Sequence, residues 1–165
     1  MRTELEARAA VIAEAREWIG TPYIPSGRVK GKNGGCDCLT FVAGVYENAG
    51  VIDRLPIPHY PPDWHMHNEA ELYLVGKDDC PGMLNFCNEI EGPPQPADIM
   101  LLQFGMCYSH AAIVVEWPTV IHAWAKQPVN TDDALANYTL LKVFEVSEIR
   151  GQLRKRRFFS VKEWR

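Results

Sequence analysis

Three residues of this sequence have the types and the chain order of a nucleophilic catalytic site: Cys38, His110 and His122. A catalytic thiol needs a base within hydrogen-bond reach, and that base needs a third group to orient its ring. Cys38 follows a Gly-Gly turn and precedes apolar residues at helical spacing, so we predict it in the first turn of a helix. The alternative is structural, because a free Cys is often buried and a strand His is often a satisfied core residue.

The predicted position of Cys38 has a consequence for the ionisation of its thiol. Unpaired N–H groups and the positive end of the helix dipole stabilise a thiolate at a helix N-terminus. We therefore expect the pKa of Cys38 to lie below the free value of about 8.5, which gives a bell-shaped pH profile of the rate. Burial of the thiol in an apolar core would raise its pKa instead.

Helices dominate the first half of the chain. Thr3 and Glu6 form a capping box that predicts a helix from about Glu4 to Trp18. Further helices are predicted from Cys38 to before Gly50, over 69–75 and over 81–90, whereas the Pro-rich residues 51–68 predict no regular element. The apolar face of the first helix is expected to contain Leu5, Ala9, Ile12, Ala13 and Ile19.

Strands follow Pro96. Alternating and apolar runs predict strands over 98–104, 110–116 and 120–124, near Val129, and over 140–146 and 155–161. If the strands that carry His110 and His122 pair across their short turn, the two imidazoles lie side by side on one face. Helices followed by an antiparallel meander define an α+β protein.

Composition limits the classes of protein that fit. The 165 residues are 47% hydrophobic and 23% charged, as in one globular domain (1–165) with an insertion-like segment at about 51–96. A net charge of -4 argues against a nucleic-acid binder, and no apolar run reaches the length of a membrane span. The charged N-terminus has no signal-peptide core, so we expect cytoplasmic synthesis, and we expect the five cysteines to form no disulfide framework.

Two further clusters of residues could bind a ligand or a partner. A metal site could be built from two cysteines and three histidines, but their spacing is not a zinc pattern, so no metal or cofactor is predicted. The residues concerned are Cys36, Cys38, His59, His65 and His67. A basic cluster at 150–157 is interpreted as a solvated face, a contact to anionic polymers or a virion neighbour, or an edge strand that alternates with buried residues.

Five segments together resemble the NlpC/P-sixty family of papain-like cysteine peptidases, especially its phage-tail and prophage members. They are Trp-Ile-Gly-Thr-Pro-Tyr (18–23), Gly-Cys-Asp-Cys-Leu-Thr-Phe-Val (35–42), Ala-Asp-Ile-Met-Leu-Leu (97–102), Ser-His-Ala-Ala-Ile-Val (109–114) and Val-Ile-His-Ala (120–123). The chain departs from the family at Leu39-Thr40, where Ser-Gly is usual, and at Ala97, where Gly is common. Tyr-Pro-Pro-Asp-Trp-His (60–65) resembles phage members alone.

The resemblance implies a papain-like fold and a role for each matching residue. Cys38 would be the nucleophile, His110 the base and His122 the third polar residue, while Tyr23 matches a Tyr associated with the oxyanion site. Asp37, Trp64 and Ser109 are the candidate substrate-binding residues, and 56–65 is expected to shape the substrate cleft.

The resemblance also implies a substrate, an amide bond of the peptidoglycan stem peptide. A phage-tail cell-wall hydrolase would have tail proteins as partners and would reach its substrate with the virion. The alternative is a catalytically inactive tail-assembly protein on the same fold.

Overall fold

The computed structural model describes residues 2–61, 63–67, 69–77, 79–124, 142–146 and 155–164. The helices are α1 (Glu4–Glu17), α2 (Cys38–Asn48), α3 (Trp64–His67), α4 (Leu72–Val75) and α5 (Met83–Phe86). The strands are β1 (Arg28–Val29), β2 (Gly35–Cys36), β3 (Gly76–Lys77), β4 (Cys80–Pro81), β5 (Cys87–Glu89), β6 (Ile99–Phe104), β7 (Cys107–Glu116), β8 (Thr119–Trp124), β9 (Lys142–Val146) and β10 (Arg156–Val161). The α+β class is confirmed.

Helix α1 begins and ends where the sequence predicts, but it buries a different face. The Thr3–Glu6 capping box is formed, and Trp18 caps the C-terminus. The buried residues are Ala7, Arg8, Val11 and Ala15, whereas Leu5 is 78% exposed, so the predicted apolar face was wrong. The charged residue Arg8 can lie on the buried face because its guanidinium donates to Asp98 Oδ1 at 2.8 Å.

The main sheet is antiparallel and six-stranded, in the order β5-β10-β6-β7-β8-β9. Helix α2 packs against β7 and β8, near the middle of the sheet. Strand β10 lies between β5 and β6, but β5 pairs only with residues 159–161, so among the described residues Arg156 and Arg157 have a strand partner on one side only. The Arg157 side chain pairs with Glu89 on β5, while residues 150–154 lie outside the described residues.

The predicted strands after Pro96 are confirmed within a few residues for β6, β7, β8 and β10. Strand β9 covers the described part of the predicted 140–146 strand, and Val129 lies outside the described residues. Ala97, which precedes β6, has φ +67, a left-handed conformation that favours the Gly common in the family.

The segment 51–96 folds differently from the expectation. Helices over 69–75 and 81–90 were predicted, but α4 and α5 have four residues each, and a single turn, α3, interrupts the Pro-rich part. The second helix is shortened because β4 pairs with β3 and β5 pairs with β10. Trp64, Tyr73 and Leu74 from this segment are buried in the same core cluster as α2.

Candidate functional site

The N-terminus of α2 places Cys38 as predicted, at the first helical residue. Asp37 is the N-cap, and its carboxylate accepts from the Thr40 N–H at 3.0 Å and the Thr40 hydroxyl at 2.9 Å. The Thr40 hydroxyl in turn accepts from the Asp37 N–H, which completes a capping box. Thr40 therefore has a structural reason to replace the Gly that is usual in the family.

The thiol of Cys38 lies inside the protein and is 5% exposed. Its Sγ is 3.2 Å from the Tyr73 hydroxyl oxygen and donates to the Ser109 carbonyl at 3.7 Å. The thiol is thus held between the backbone of β7 and a tyrosine from the segment 51–96.

His110 and His122 lie side by side, as the strand pairing predicts. His110 Nε2 is 2.9 Å from His122 Nδ1, and both rings are buried. Trp124 stacks on His122 and meets His110 edge-on, which fixes both rings. Because Nε2 of His110 faces His122, a proton transferred from Cys38 would be accepted at Nδ1.

The thiol and the imidazole pair are not joined in this conformation. Within the described part of the chain, no hydrogen bond connects Cys38 Sγ to His110. The hydrogen bond of Sγ to β7 is nevertheless made with the carbonyl of Ser109, the residue before His110. The structure therefore brings all three residues to one place without forming the thiol–imidazole bond.

The expected lowering of the Cys38 pKa was wrong for this conformation. Burial raises the pKa of the thiol to about 12, and the nearby Asp37 charge acts in the same direction. Hydrogen bonds from Tyr73 and from the N–H groups of Ala111 and Leu39 lower the pKa, but by less. Desolvation exceeds the helix N-terminal effect because the thiol has no access to water.

Burial lowers the pKa of His122 to about 4, so this imidazole is neutral near pH 7. A neutral His122 can accept through Nδ1 when His110 Nε2 carries a proton. This tautomer of His110 leaves Nδ1 unprotonated, as a base toward Cys38 must be.

Tyr23, the candidate oxyanion residue, lies beside the nucleophile turn. It forms a parallel bridge with Cys36, and it is partly buried. Burial and the proximity of Cys38 and Asp37 raise the pKa of its phenol, so the hydroxyl is a neutral donor. Its contact with an oxyanion stays a prediction.

The three candidate substrate-binding residues are all buried. The Asp37 carboxylate also accepts from the Ser26 N–H at 2.7 Å and the Tyr60 hydroxyl at 2.6 Å. Ser109 donates to the Phe104 carbonyl at 3.2 Å, and the Trp64 ring packs on Tyr73 with centroids 5.6 Å apart. Each has a structural role here, and direct substrate contact stays a prediction.

Tyr60 and Tyr73 are the residues that sequence reasoning missed as neighbours of the thiol. Tyr60 lies in the Pro-rich part and Tyr73 in the helix predicted over 69–75, but no local signal placed either hydroxyl at the nucleophile. A cavity of about 370 Å³ lies beside them, and Leu39, Trp64 and Lys77 also line it.

The metal alternative finds no support in the described residues, where no group of three or more His, Cys, Asp or Glu side chains is placed to hold an ion. Cys36 is buried in β2, and His67 is 3.3 Å from Asp63 on its own short helix. No described helix is both long enough and apolar enough to cross a membrane.

Comparison of the coordinates with solved structures identifies similar folds. The NlpC/p60 domain of the peptidoglycan hydrolase SagA superposes with a TM-score of 0.51 and 18% identity, over 91% of this chain and 96% of that domain. The peptidoglycan hydrolase RipB of Mycobacterium tuberculosis gives a TM-score of 0.55 and 16% identity, over 98% of this chain and 67% of RipB.

A third similar structure is NlpC1 of Trichomonas vaginalis, with a TM-score of 0.55 and 13% identity, over 96% of this chain and 44% of that protein. No family model and no curated protein matches the sequence. At these levels of sequence identity, the structural similarity establishes the fold. The predicted papain-like, NlpC-type architecture is confirmed.

Proposed function

We propose that this chain is a cysteine peptidase of the NlpC/P-sixty family that hydrolyses an amide bond in the peptidoglycan stem peptide. The observation that carries the proposal is the placement of Cys38 at the start of α2 against the strand that holds His110, with His122 2.9 Å from His110. The same fold occurs in the peptidoglycan hydrolases SagA and RipB.

In the proposed reaction, Cys38 Sγ attacks the carbonyl carbon of the scissile amide. His110 Nδ1 takes the thiol proton and donates it to the leaving amine, whose C–N bond breaks as the thioester forms. A water molecule then attacks the thioester carbonyl with His110 as base, which releases the acid and restores the thiol. His122 Nδ1 accepts from His110 Nε2 and stabilises the imidazolium that forms between these steps.

The oxyanion of each tetrahedral intermediate would be bound at the N-terminus of α2. The backbone N–H of Cys38 is one donor, and the neutral Tyr23 hydroxyl is the second. Loss of one such donor typically lowers the rate by about 10²–10³. The same helix end supplies the positive electrostatic potential that favours an anion.

We further propose that the protein acts as part of a phage or prophage tail particle, with tail proteins as partners. The support is the resemblance of residues 60–65 to phage members of the family. Mass spectrometry of purified particles from a host that carries the gene tests this association, and absence of the chain from intact particles contradicts it.

The second candidate function is a catalytically inactive tail-assembly protein. The observation in its favour is the buried, neutral thiol, which is hydrogen-bonded to Tyr73 and Ser109 and not to His110. A protein of this kind would retain the three residue types and release nothing from cell walls.

Digestion of purified peptidoglycan, with the released fragments identified by mass, tests the catalytic assignment. Cys38→Ala should abolish fragment release, whereas Cys36→Ala should retain much of it, because Cys36 lies in β2 outside the helix N-terminus. The two variants are matched, since each removes one buried thiol and the two positions are separated by one residue. Equal loss in both, with folding intact by circular dichroism, would contradict the assignment.

A further inference from the structure

The described residues between 57 and 77 cover the thiol of Cys38, and we name them the occluding segment. Trp64, Tyr73 and Leu74 from this segment are buried in the core cluster that also contains Cys38. The segment separates the thiol from solvent, since Cys38 is 5% exposed and Tyr73 is also 5% exposed.

The Tyr73 hydroxyl lies at the distance from Sγ at which a substrate carbonyl would be attacked. Nucleophilic attack requires the reacting atoms to approach within about 3–3.5 Å before bond formation. The hydroxyl oxygen already lies 3.2 Å from Sγ, while the Ser109 carbonyl accepts from the thiol at 3.7 Å. An amide can therefore reach Sγ only after Tyr73 moves.

Polar contacts at three points hold the occluding segment on the rest of the domain. The Tyr60 hydroxyl donates to Asp37 at 2.6 Å, the Met106 N–H donates to the His65 carbonyl at 3.0 Å, and the Tyr108 N–H donates to the Glu71 carboxylate at 2.9 Å. The last two involve the β6–β7 turn and the start of β7, next to the strand residues that contact the thiol.

The β6–β7 turn is shaped to receive the segment. Gly105 in this turn has φ +61, and a Cβ built on it would lie 2.5 Å from the His65 carbonyl oxygen. A glycine is therefore needed for the contact as well as for the turn. Residues of the segment itself line most of the cavity of about 370 Å³, so the packing of the segment is incomplete there.

From these contacts we propose that the occluding segment is a lid that keeps the nucleophile latent, with Tyr73 as the group that blocks Sγ. The proposal concerns regulation of the site assigned above and rests on the proposed peptidase function. Displacement of the segment removes the tyrosine from Sγ, admits water and substrate, and frees the thiol to transfer its proton to His110. A surface segment that borders a cavity is the kind of unit that opens without global unfolding.

The test is alkylation of the intact protein by iodoacetamide at pH 7.5, with the modified cysteines quantified by peptide mass spectrometry. The chain supplies its own references: Cys80 is partly exposed, while Cys36 and Cys87 are buried and report wider unfolding. In the wild type, Cys38 should react more slowly than Cys80. Tyr73→Ala should accelerate alkylation of Cys38 by at least about tenfold, which corresponds to 1.4 kcal/mol, without accelerating Cys36 or Cys87.

Gly105→Ala provides a second variant that leaves Tyr73 and the core unchanged. The added methyl should push His65 away and accelerate alkylation of Cys38. Gly50→Ala is the matched control, because Gly50 has φ +72 and no atom within 4 Å of a built Cβ. Gly50→Ala introduces the same kind of backbone strain but does not contact the occluding segment, so Cys38 should react as in the wild type.

Rapid alkylation of Cys38 in the wild type, at the rate of Cys80 or above, would overturn the lid. Unchanged alkylation of Cys38 in Gly105→Ala and in a folded Tyr73→Ala would overturn it equally. These outcomes do not bear on hydrolysis itself. If Cys38 becomes reactive in Tyr73→Ala but neither this variant nor the wild type releases fragments from peptidoglycan, the lid stands and the proposed peptidase function fails.

Discussion

At the scale of single residues, His110 and His122 form one unit with unequal roles. His110→Ala should reduce fragment release as severely as Cys38→Ala, because members of a catalytic triad act together. His122→Gln should be milder, since a glutamine carbonyl can still accept from His110 Nε2. Steady-state rates on one peptidoglycan preparation compare the three variants. An active His110→Ala together with an inactive His122→Gln would reverse the two roles.

The buried His122 also makes the stability of the protein depend on pH. Its pKa is about 4 in the folded protein and about 6.5 in an unfolded chain, so between these values the unfolded state binds more protons. The contribution of His122 to stability is complete above about pH 6.5 and is lost as the pH falls toward 4, by roughly 3 kcal/mol at most.

Urea denaturation at pH 7 and pH 4.5 measures this dependence. The wild type should lose more stability between the two pH values than His122→Gln, whose side chain does not titrate. Carboxylates contribute equally to both proteins, so the difference between the two losses isolates the imidazole. Equal losses would show that His122 does not stay neutral in the folded protein.

At the scale of elements, the packing of α1 against α2 depends on Gly44. A Cβ at this position would lie 2.7 Å from the Trp18 ring, and Trp18 is buried. Gly44→Ala gains about 1 kcal/mol of helix propensity, but overpacking a rigid ring costs about 1–3 kcal/mol. We expect a net loss of about 1 kcal/mol.

Thermal and urea unfolding of Gly44→Ala measure this loss, and a double-mutant cycle with Trp18→Phe provides the control. The smaller ring should reduce the cost of the added methyl, so the two substitutions should not be additive. A stabilised Gly44→Ala would show that α1 and α2 can separate slightly at no cost.

At the scale of the whole molecule, the free cysteines predict a loss of stability in alkali. Burial raises the pKa values of Cys36, Cys38 and Cys87 to about 12, whereas the thiols of an unfolded chain titrate near 8.5. The contribution of these thiols to the free energy of unfolding is present in full below about pH 8.5. It decreases as the pH rises toward 12, because the unfolded state releases protons that the folded state retains.

The melting temperature should therefore fall steeply between pH 8 and pH 10. At pH 9.5 each of the three thiols contributes at most about 1.4 kcal/mol to the loss. Cys87→Ala should show a shallower fall than the wild type, although it is less stable at pH 7 because of the lost side chain. Parallel curves for the two proteins would contradict neutral buried thiols as the cause.

The sequence alone determined those features that depend on neighbours along the chain. The capping residues Thr3 and Asp37, the first helical position of Cys38, and the strands that carry His110 and His122 follow from local hydrogen bonds and from periods of 3.6 and 2 residues. Pairing of two strands across a short turn then places their histidines together, so most of the candidate site was predictable.

Only the tertiary structure decided what surrounds the thiol. Tyr73 lies 35 positions from Cys38, and although a helix is predicted over 69–75, no local rule brings its hydroxyl to Sγ. The buried face of α1 likewise depends on Arg8 meeting Asp98, 90 positions away. These contacts are long-range and polar, and each is stable only once water is excluded by the packed core. The direction of the Cys38 pKa follows from that exclusion, which overrides the helix N-terminal effect predicted from the sequence.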